Sequence, residues 1–446
     1  MNPIEHWDSL LRAVDAGQLC ASLAGQMRAR RLRFGDRVLC PFLRPFFLDL
    51  RDEARMRGVV ETLWTLGERV AQLACTTPDL LAQLGLSEAE ISLARIEPGY
   101  QTTSTAARAD AFILQESLQF AEYNAESPAG AGYSQGLAEL FDREPVMARF
   151  REHYAARMYT PVERLLEALV DSYREWGGTA APPRMAIVDW REVPTFSEFE
   201  LLRDAFVALG VPTVICDPRD LTFERGRLVG GGAAIDLVYR RVLINDIVAR
   251  ETECRPLIDA YTQRAVCVAN TLRCKIPHKK AFFAVLTDDR HAELFNGDEQ
   301  DVIRRHIPWT VLVEERRATR DGRSIDLLPY LRAQRERFVI KPNDEYGGTG
   351  VTLGWEANEK EWDEAIERAV RERDRGWVAQ ERIVVRREMF PVCEGGGLTM
   401  RDMLVDFAPY VFRGRMAGFL TRLSATGLAN VTSGGGQVPA FVIQKT

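Results

Sequence analysis

The chain has 446 residues, of which 46% are hydrophobic, and its formal net charge at pH 7 is −6. This length predicts two to three domains, and the hydrophobic content is enough for a large buried core. No basic block dominates any region and no apolar run approaches the ~20 residues that span a bilayer, so we expect neither a nucleic-acid partner nor a membrane. The N-terminus lacks a signal-peptide pattern, and a cytoplasmic protein is therefore expected.

The eight cysteines are scattered along the chain without any CxxC pair. In a reducing cytosol the simplest expectation is that all of them are buried free thiols, and their spacing argues against a zinc site.

Residues 1–100 are predicted to form a helical N-terminal region, because apolar side chains between Val59 and Leu73 recur with the 3.6-residue period of a helix. In the next region, 101–183, residues 110–114 and 118–123 are predicted as a strand pair. A long helical stretch is predicted from about 144 to 176, and the segment 177–183 is the clearest linker in the sequence.

Glu122 and Asn124 lie where the second of these strands ends. One residue separates them, so strand geometry places both side chains on the same side of the strand. Carboxylate and carboxamide oxygens are hard donors of the kind that Mg²⁺ prefers. We interpret the pair as metal ligands.

A parallel βαβ unit is predicted within residues 184–267. It consists of a strand at 185–189, a helix at 196–209 and a second strand at 212–216, joined by short connections. No GxGxxG follows the first strand, so this Rossmann-like half is not expected to bind NAD.

Residues 268–446 contain the segment richest in chemistry, 338–350, with the sequence FVIKPNDEYGGTG. An apolar strand delivers Lys341, followed by Glu345 and then by Gly347 and Gly348. A point charge, a metal ligand and accessible backbone N–H groups together suit a nucleotide triphosphate. The P-loop pattern is absent, so the nucleotide would be held in another way.

Lys279 and Lys280 begin a predicted amphipathic helix that extends to residue 286. Lysine at a helix N-terminus is unfavourable with the helix dipole, so an anionic ligand would explain their presence. A solvated first turn is the alternative, and the sequence does not show which of the two lysines contacts phosphate.

Two later strands complete the candidate site. Residues 377–383 predict a strand ending in a polar hinge, which can present its backbone to adenine while apolar side chains line the ring. Arg422 is predicted on a strand before the glycine turn at 433–436, where it would grip a carboxylate or phosphate. An exposed strand arginine is the alternative.

In this order the segments resemble the ATP-grasp ligases, and within them the circularly permuted branch with eukaryotic-type glutathione synthetase and glutathionylspermidine synthetase. In the ordinary ATP-grasp order the Glu-x-Asn metal pair comes last, whereas here Glu122 and Asn124 precede the lysines. The segment from Arg108 through Asp110 to Ser127 is similar to the substrate- and metal-binding segment of glutathione synthetases. The resemblance implies an α/β (α+β) fold, with a circularly permuted ATP-grasp region at 101–183 and 268–446. The βαβ unit of 184–267 corresponds to the pre-ATP-grasp substrate domain.

The resemblance also assigns roles to the site residues. Glu122, Asn124 and Glu345 would hold Mg²⁺, with two ions expected. ATP would be held by Lys341, one of Lys279 and Lys280, Gly347, Gly348 and the hinge residues Gln380, Glu381 and Ile383. Arg422 or Arg108 would grip the attacking carboxylate and the developing phosphate.

The implied activity is ATP-dependent ligation of a small-molecule carboxylate to an amine or short peptide, through an acylphosphate, with release of ADP and phosphate. The first hundred residues and the loop at 430–436 depart from the family pattern, so amide formation is better supported than a glutathione-like substrate. Two alternatives remain open: a phosphotransferase with an alcohol acceptor, and a nucleotide-binding protein that has lost its chemistry. A homodimer is expected from the family, but the sequence does not identify the acid, the amine or the role of residues 1–100.

Overall fold

A large antiparallel sheet, called here the central sheet, is assembled from both ends of the chain. The computed structural model describes residues 2–114, 117–395, 397–426 and 435–445. Across the central sheet the strands follow in the order Gly436–Val438, Arg415–Ser424, Gly397–Phe412, Ala106–Ile113 and Leu118–Asn124, and Arg387–Glu394 also pairs with Gly397–Phe412. The predicted strand pair after residue 101 is confirmed, and the expected α/β class is confirmed with it.

Successive side chains of the strand Ala106–Ile113 point alternately to the hydrophobic core and to the opposite face of the sheet. Ala107 and Ala109 are fully buried in the main hydrophobic core, which also contains buried residues of the helix Leu50–Ala74. Arg108 and Asp110 occupy the positions between and after them, so they point to the opposite face of the strand. This face carries charged groups into the interior of the protein.

A parallel sheet covers the middle of the chain, in the order Cys267–Ala269, Leu237–Arg240, Met185–Val188 and Thr213–Cys216. Every residue of its first three strands is buried, as in parallel sheets that are covered on both faces. The helix Phe196–Ala208 connects two of the strands, so the predicted βαβ unit is confirmed.

A second antiparallel sheet, called here the lysine sheet, has the order Thr310–Leu312, Trp377–Glu381, Phe338–Pro342 and Thr352–Leu353. The helices Leu327–Ala333 and Glu359–Arg371 pack on it through buried side chains that include Leu331 and Trp362. Lys341 is delivered by the strand Phe338–Pro342, as the sequence predicts.

The helix predicted after Lys280 is present, but the prediction that it is amphipathic is wrong. The helix Ala281–Leu286 exists, but all six of its residues are buried. Phe282, Phe283, Val285 and Leu286 belong to the main hydrophobic core, and a helix that is apolar all round is buried on every side.

The predicted continuous helix from 144 to 176 is also wrong. The structure has two helices, Pro145–Phe150 and Pro161–Glu175, with the strand Tyr154–Arg157 between them. This strand pairs with Ala440–Lys445, which pairs on its other edge with Phe46–Asp49. Tertiary pairing therefore overrides the helical pattern, and Pro161 opens the second helix at a position where proline is favoured.

The remaining elements connect these sheets. The other helices are Pro3–Leu11, Ala16–Ala29, Pro78–Leu84, Glu88–Arg95, Ala131–Asp142, Ile244–Ala249, Glu251–Thr262, Lys275–His278 and Gly297–His306, with short 3₁₀ turns at Pro218–Asp220, Leu272–Cys274, Asp289–Leu294, Arg335–Arg337 and Arg373–Arg375. The other strands are Arg33–Phe34, Arg37–Val38, Thr222–Glu224, Arg227–Gly230, Ala233–Ala234, Arg317–Arg320 and Arg323–Asp326. Within the described ranges, no helix has the length and apolarity needed to cross a membrane.

Cys20 and Cys393 are joined by a disulfide, so the expectation of free thiols is wrong for this pair. The two cysteines are separated by 373 residues, and only the tertiary fold brings the helix Ala16–Ala29 against the strand Arg387–Glu394. The other six cysteines, Cys40, Cys75, Cys216, Cys254, Cys267 and Cys274, are free.

We predict that reduction of the Cys20–Cys393 bond lowers the free energy of unfolding by about 2–4 kcal/mol, because the bond restricts the unfolded chain. Urea unfolding with and without reductant measures this difference, and Cys20→Ser should reproduce the effect of the reductant. Cys40→Ser serves as the control, since it leaves the bond intact. Alkylation of both Cys20 and Cys393 in unfolded protein that was never reduced would contradict the pairing.

Candidate active site

A cleft with a volume of about 180 Å³ lies between the central sheet and the lysine sheet. Its wall brings together most of the predicted site residues: Glu122, Lys280, Lys341, Glu345, Gly347, Gly348, Gln380, Glu381, Ile383 and Arg422. Arg108, Asn124 and Lys279 are not part of this wall, although Arg108 and Asn124 contact residues that are.

Lys341 lies in the wall of the cleft, and its hydrogen-bond partners are neutral groups. Its Nζ donates to Gln380 Oε1 at 2.7 Å and to the carbonyl oxygen of Ala121 at 3.2 Å. Burial lowers the pKa of Lys341 to about 8, although the Glu122 carboxylate opposes part of this shift. An anionic ligand in the cleft would relieve the cost of burying this ammonium group.

The structure separates the two adjacent lysines, and neither lies in a solvated first turn. Lys279 is only 4% exposed, and its Nζ is 2.9 Å from both oxygens of Glu90 and 2.6 Å from Asp344 Oδ2. Lys280 faces the cleft instead, where its Nζ donates to the Glu345 carbonyl oxygen at 2.6 Å and lies 3.5 Å from Glu122 Oε2. Of these two lysines, Lys280 is the one placed to contact a ligand in the cleft.

The three predicted metal ligands approach the cleft from two elements. Asn124 Nδ2 donates to Glu122 Oε1 at 3.1 Å, so these two side chains lie side by side, and Glu345 lines the cleft from the loop after Phe338–Pro342. Among the residues that the structure describes, no group of three or more His, Cys, Asp or Glu side chains could hold a metal ion. Mg²⁺ commonly uses one or two carboxylates and completes its shell with water and substrate phosphates. The donors therefore fit a Mg²⁺ ion that arrives with a nucleotide.

Arg422 is a partly buried member of an ion-pair network, with a side chain that is 16% exposed, rather than an exposed strand arginine. Its Nε donates to Asp406 Oδ2 at 2.6 Å, and its Nη2 contacts both Asp406 and Asp110. Arg108 holds the other side of Asp110, with Nε donating to Oδ1 at 2.7 Å. Burial alone would raise the pKa of Asp110, but Arg108 and Arg422 outweigh it and hold that pKa low.

Asp406 is a functional candidate that sequence reasoning missed. It is 1% exposed, it lines the cleft, and its Oδ1 has no hydrogen-bond partner among the described residues. Burial raises the pKa of Asp406, and Arg422 offsets only part of that shift. A lone aspartate in the apolar run 404–408 was the available signal, since a charge in a buried strand needs a reason.

The far end of the cleft has an apolar wall beside the predicted adenine hinge. Val339, Leu353, Trp355, Ile383 and Val385 supply this wall. At the hinge, the Glu381 carboxylate accepts from Arg320 at 2.7 Å and from Arg337 at 3.2 Å. The sequence pattern predicted Ile383 here but gave no signal for Trp355, whose position depends on the strand Thr352–Leu353 folding back over Phe338–Pro342.

The loop with Gly347 and Gly348 after the strand Phe338–Pro342, called here the glycine-rich loop, has glycines in a backbone conformation that glycine favours. Gly347 and Gly348 have φ values of +66° and +80°, in the left-handed region. Of the second predicted glycine turn, residues 433 and 434 lie outside the described residues, while Gly436 begins a strand of the central sheet.

Comparison with known proteins identifies the family of this chain. The family model "Circularly permuted ATP-grasp type 2" matches residues 114–431. The chain belongs to this family. The resemblance stated from the sequence is thereby confirmed, and so is the permuted ATP-grasp fold.

Among solved structures, a glutathione synthetase-like effector from Globodera pallida, in its apo form, aligns with a TM-score of 0.63 and 13% identity. The alignment covers 95% of this chain and 96% of that chain, which shows a shared fold. A putative gamma-glutamylcysteine synthetase from Methylobacillus flagellatus KT aligns with a TM-score of 0.43 and 12% identity, over 82% of this chain and 83% of that one. No curated protein matches the chain significantly.

We predict that substituting the two adjacent lysines destabilises the protein to different extents. Lys279→Met should lower the free energy of unfolding by about 3–5 kcal/mol, because it leaves buried Glu90 and Asp344 without their shared cation. Lys280→Met should cost about 1 kcal/mol, since it removes one hydrogen bond at the edge of the cleft. Urea unfolding of the two variants measures the difference, and equal losses would contradict the assignment of Lys279 to the interior.

Proposed function

We propose that this protein is an ATP-dependent carboxylate–amine ligase that forms an amide through an acylphosphate and releases ADP and phosphate. The observation that carries the proposal is the convergence of Lys280, Lys341, Glu122, Glu345 and Arg422 on one cleft from distant parts of the chain. Membership of the permuted ATP-grasp family supports the same reaction class.

The lining of the cleft supports one direction for a bound nucleotide. The apolar wall with Trp355 and Ile383 suits a purine ring, and the hinge residues Gln380 and Glu381 lie in the same cleft. The glycine-rich loop and the two cleft lysines lie toward the carboxylates, where the phosphates would be. Backbone N–H groups and ammonium groups there would stabilise phosphoryl oxygens.

Glu122, Asn124 and Glu345 would hold Mg²⁺. When bound, Mg²⁺ would supply positive charge to the phosphoryl group during its transfer. Lys341 adds to that charge from the opposite wall, and Lys280 bridges the two sides through Glu345 and Glu122.

The network of Arg108, Arg422, Asp110 and Asp406 supports an anionic acceptor. Burial raises the pKa of Asp406 to about 7, so near neutral pH its carboxyl group is only partly ionised and does not fully offset the excess positive charge of Arg108 and Arg422 over Asp110. This excess positive charge favours a substrate carboxylate beside Arg422, in position to attack the γ-phosphate. The product, an acylphosphate, reacts with water, so closure of the loop at Gly347 and Gly348 would protect it until the amine arrives.

Several finer predictions stay open. We propose that residues 184–267 select the substrates, as in the pre-ATP-grasp domain of related enzymes, but the identity of the acid and amine is not encoded in a recognisable pattern. The domain boundaries, the second Mg²⁺ ion, the homodimer and the cytoplasmic location also stay predictions.

ATP turnover with Mg²⁺ against a panel of carboxylates and amines tests the proposal, with ADP and free phosphate scored separately. Release of both products only when acid and amine are present would establish a ligase. ADP without free phosphate would identify a phosphotransferase, and tight ATP binding without turnover across the panel would favour a binding protein.

We predict that Glu345→Gln lowers kcat at least about 100-fold while the thermal unfolding midpoint changes little, because one metal ligand is lost from the wall of an accessible cleft. Steady-state ADP release and a thermal melt measure the two quantities. Glu356→Gln, an exposed position farther along the same segment, is the matched control. Full activity in Glu345→Gln would refute the metal assignment.

We predict that ATP binding at pH 8 is accompanied by uptake of about half a proton. Lys341 has a pKa of about 8 in the free protein, and a bound phosphate would raise that pKa, so protons enter as ATP binds. Above pH 8 the affinity should fall, because the charged form of Lys341 becomes scarce.

Titration calorimetry in two buffers of different ionisation enthalpy measures this uptake. Lys341→Arg keeps its charge at every accessible pH, so its uptake should vanish and its affinity should not fall above pH 8. The same uptake in both proteins would show that another group titrates.

A further inference from the structure

A buried ion-pair cluster lies outside the cleft, behind the loop that carries Glu345. Its members are Glu90, Glu126, Lys275, Lys279 and Asp344, and each side chain is at most 15% exposed. Asp344 uses one carboxylate oxygen for each lysine, with Oδ1 2.8 Å from Lys275 Nζ and Oδ2 2.6 Å from Lys279 Nζ. Lys275 continues to Glu126 at 3.1 Å, and Lys279 continues to Glu90.

The charges of this cluster balance. Buried Arg240 lies 3.5 Å from Glu126, so three cations face three carboxylates. His278, which adjoins Glu126 and Asp344, stays neutral at pH 7 because burial lowers its pKa to about 4. A balanced buried cluster is sensitive to the loss of any one member, since the remaining partners are left uncompensated.

The residues on either side of Asp344 are fixed as well. Asn343 is fully buried, with Oδ1 accepting from the Ala281 N–H at 2.8 Å and Nδ2 donating to the Leu84 carbonyl oxygen at 2.9 Å. The carbonyl oxygen of Glu345 accepts from Lys280 Nζ. Three consecutive residues are thus held between the N-terminal helices and the segment 275–281.

We propose that the chain of contacts from Glu90 through Lys279 to Asp344 is a positioning device for Glu345. It fixes the backbone immediately before the metal ligand and so makes the helix Glu88–Arg95, from the N-terminal hundred residues, part of the nucleotide site. The inference rests on the proposed function, because it concerns Mg²⁺ binding by Glu345. The competing explanation is that the cluster only stabilises the fold.

Glu90→Gln tests this proposal with little disturbance of the helix. Glu90 is also the third residue of its helix, where it accepts from the Ser87 N–H at 2.8 Å, and glutamine serves in the same capping box. The substitution therefore removes the charge that faces Lys279 but keeps the cap. We expect the Mg²⁺ concentration for half-maximal ATP binding to rise at least about 10-fold, as for other partners that orient a metal ligand.

Glu299→Gln is the matched control. Glu299 occupies the same capping-box position in the helix Gly297–His306, and its carboxylate pairs with Arg69 at 2.5 and 2.7 Å. The substitution removes a charge of the same kind from a half-buried ion pair that does not touch the loop. We expect its Mg²⁺ dependence to stay within about twofold of the wild type, while both variants unfold at a lower temperature.

Calorimetric titration of ATP into protein at a series of fixed free Mg²⁺ concentrations, together with thermal melts, separates the outcomes. A rise in the Mg²⁺ concentration for half-maximal ATP binding that is confined to Glu90→Gln supports the positioning role. Equal behaviour of the two variants overturns it and leaves a structural cluster. If Glu90→Gln fails to fold, Asp344→Asn takes its place, and a normal Mg²⁺ dependence in that variant overturns the proposal.

The titration of the wild-type protein distinguishes a failure of the positioning role from a failure of the proposed ligase function. Absence of Mg²⁺-dependent ATP binding in the wild-type protein would overturn both the ligase proposal and the positioning role. Normal binding in the wild type together with normal binding in Glu90→Gln would overturn the positioning role alone.

Discussion

The antiparallel pairing of Ala106–Ile113 with Gly397–Phe412 is the contact on which the rest of the site depends. Its register sets Arg108 opposite Tyr410, and the flanking strands then bring Glu122 beside Asp110 and Arg422 beside Asp406. Without this pairing Arg422 and Asp406 would not be brought to the strands that carry Arg108 and Glu122. Ala107 and Ala109 of this strand belong to the main hydrophobic core, while Arg108 and Asp110 occupy the opposite face.

Charge is distributed unequally between the cleft and the interior behind it. Lys275 and Lys279 have carboxylate partners at hydrogen-bond distance, so their charges are compensated within the protein. Lys341 instead donates to an amide and a carbonyl oxygen, and the low pKa of its ammonium group reflects that difference. Compensated cations hold the structure together, whereas a cation with neutral partners is available to an incoming anion.

The parts of the site that the sequence predicts are those encoded locally. Lys341, Glu345 and the glycines follow one another on a single strand and loop, and Glu122 and Asn124 obey the alternation of a strand, so short patterns suffice for them. Lys279 and Lys280 are neighbours at an irregular turn, and no periodicity indicates that one faces inward and the other faces the cleft. Asp406, Trp355 and the Cys20–Cys393 bond depend on contacts between distant segments, which a single sequence does not reveal.

The sheet that contains Ala440–Lys445 has a consequence for how the protein is made. This strand lies between Phe46–Asp49 and Tyr154–Arg157, and the C-terminal strands of the central sheet likewise pair with Ala106–Ile113. During synthesis the strands Phe46–Asp49, Ala106–Ile113 and Tyr154–Arg157 therefore lack their C-terminal partner strands until residues beyond 400 leave the ribosome. Contacts of such long range fold slowly and expose surfaces that favour aggregation. Production of this protein in a heterologous host should accordingly be sensitive to translation speed and chaperone supply.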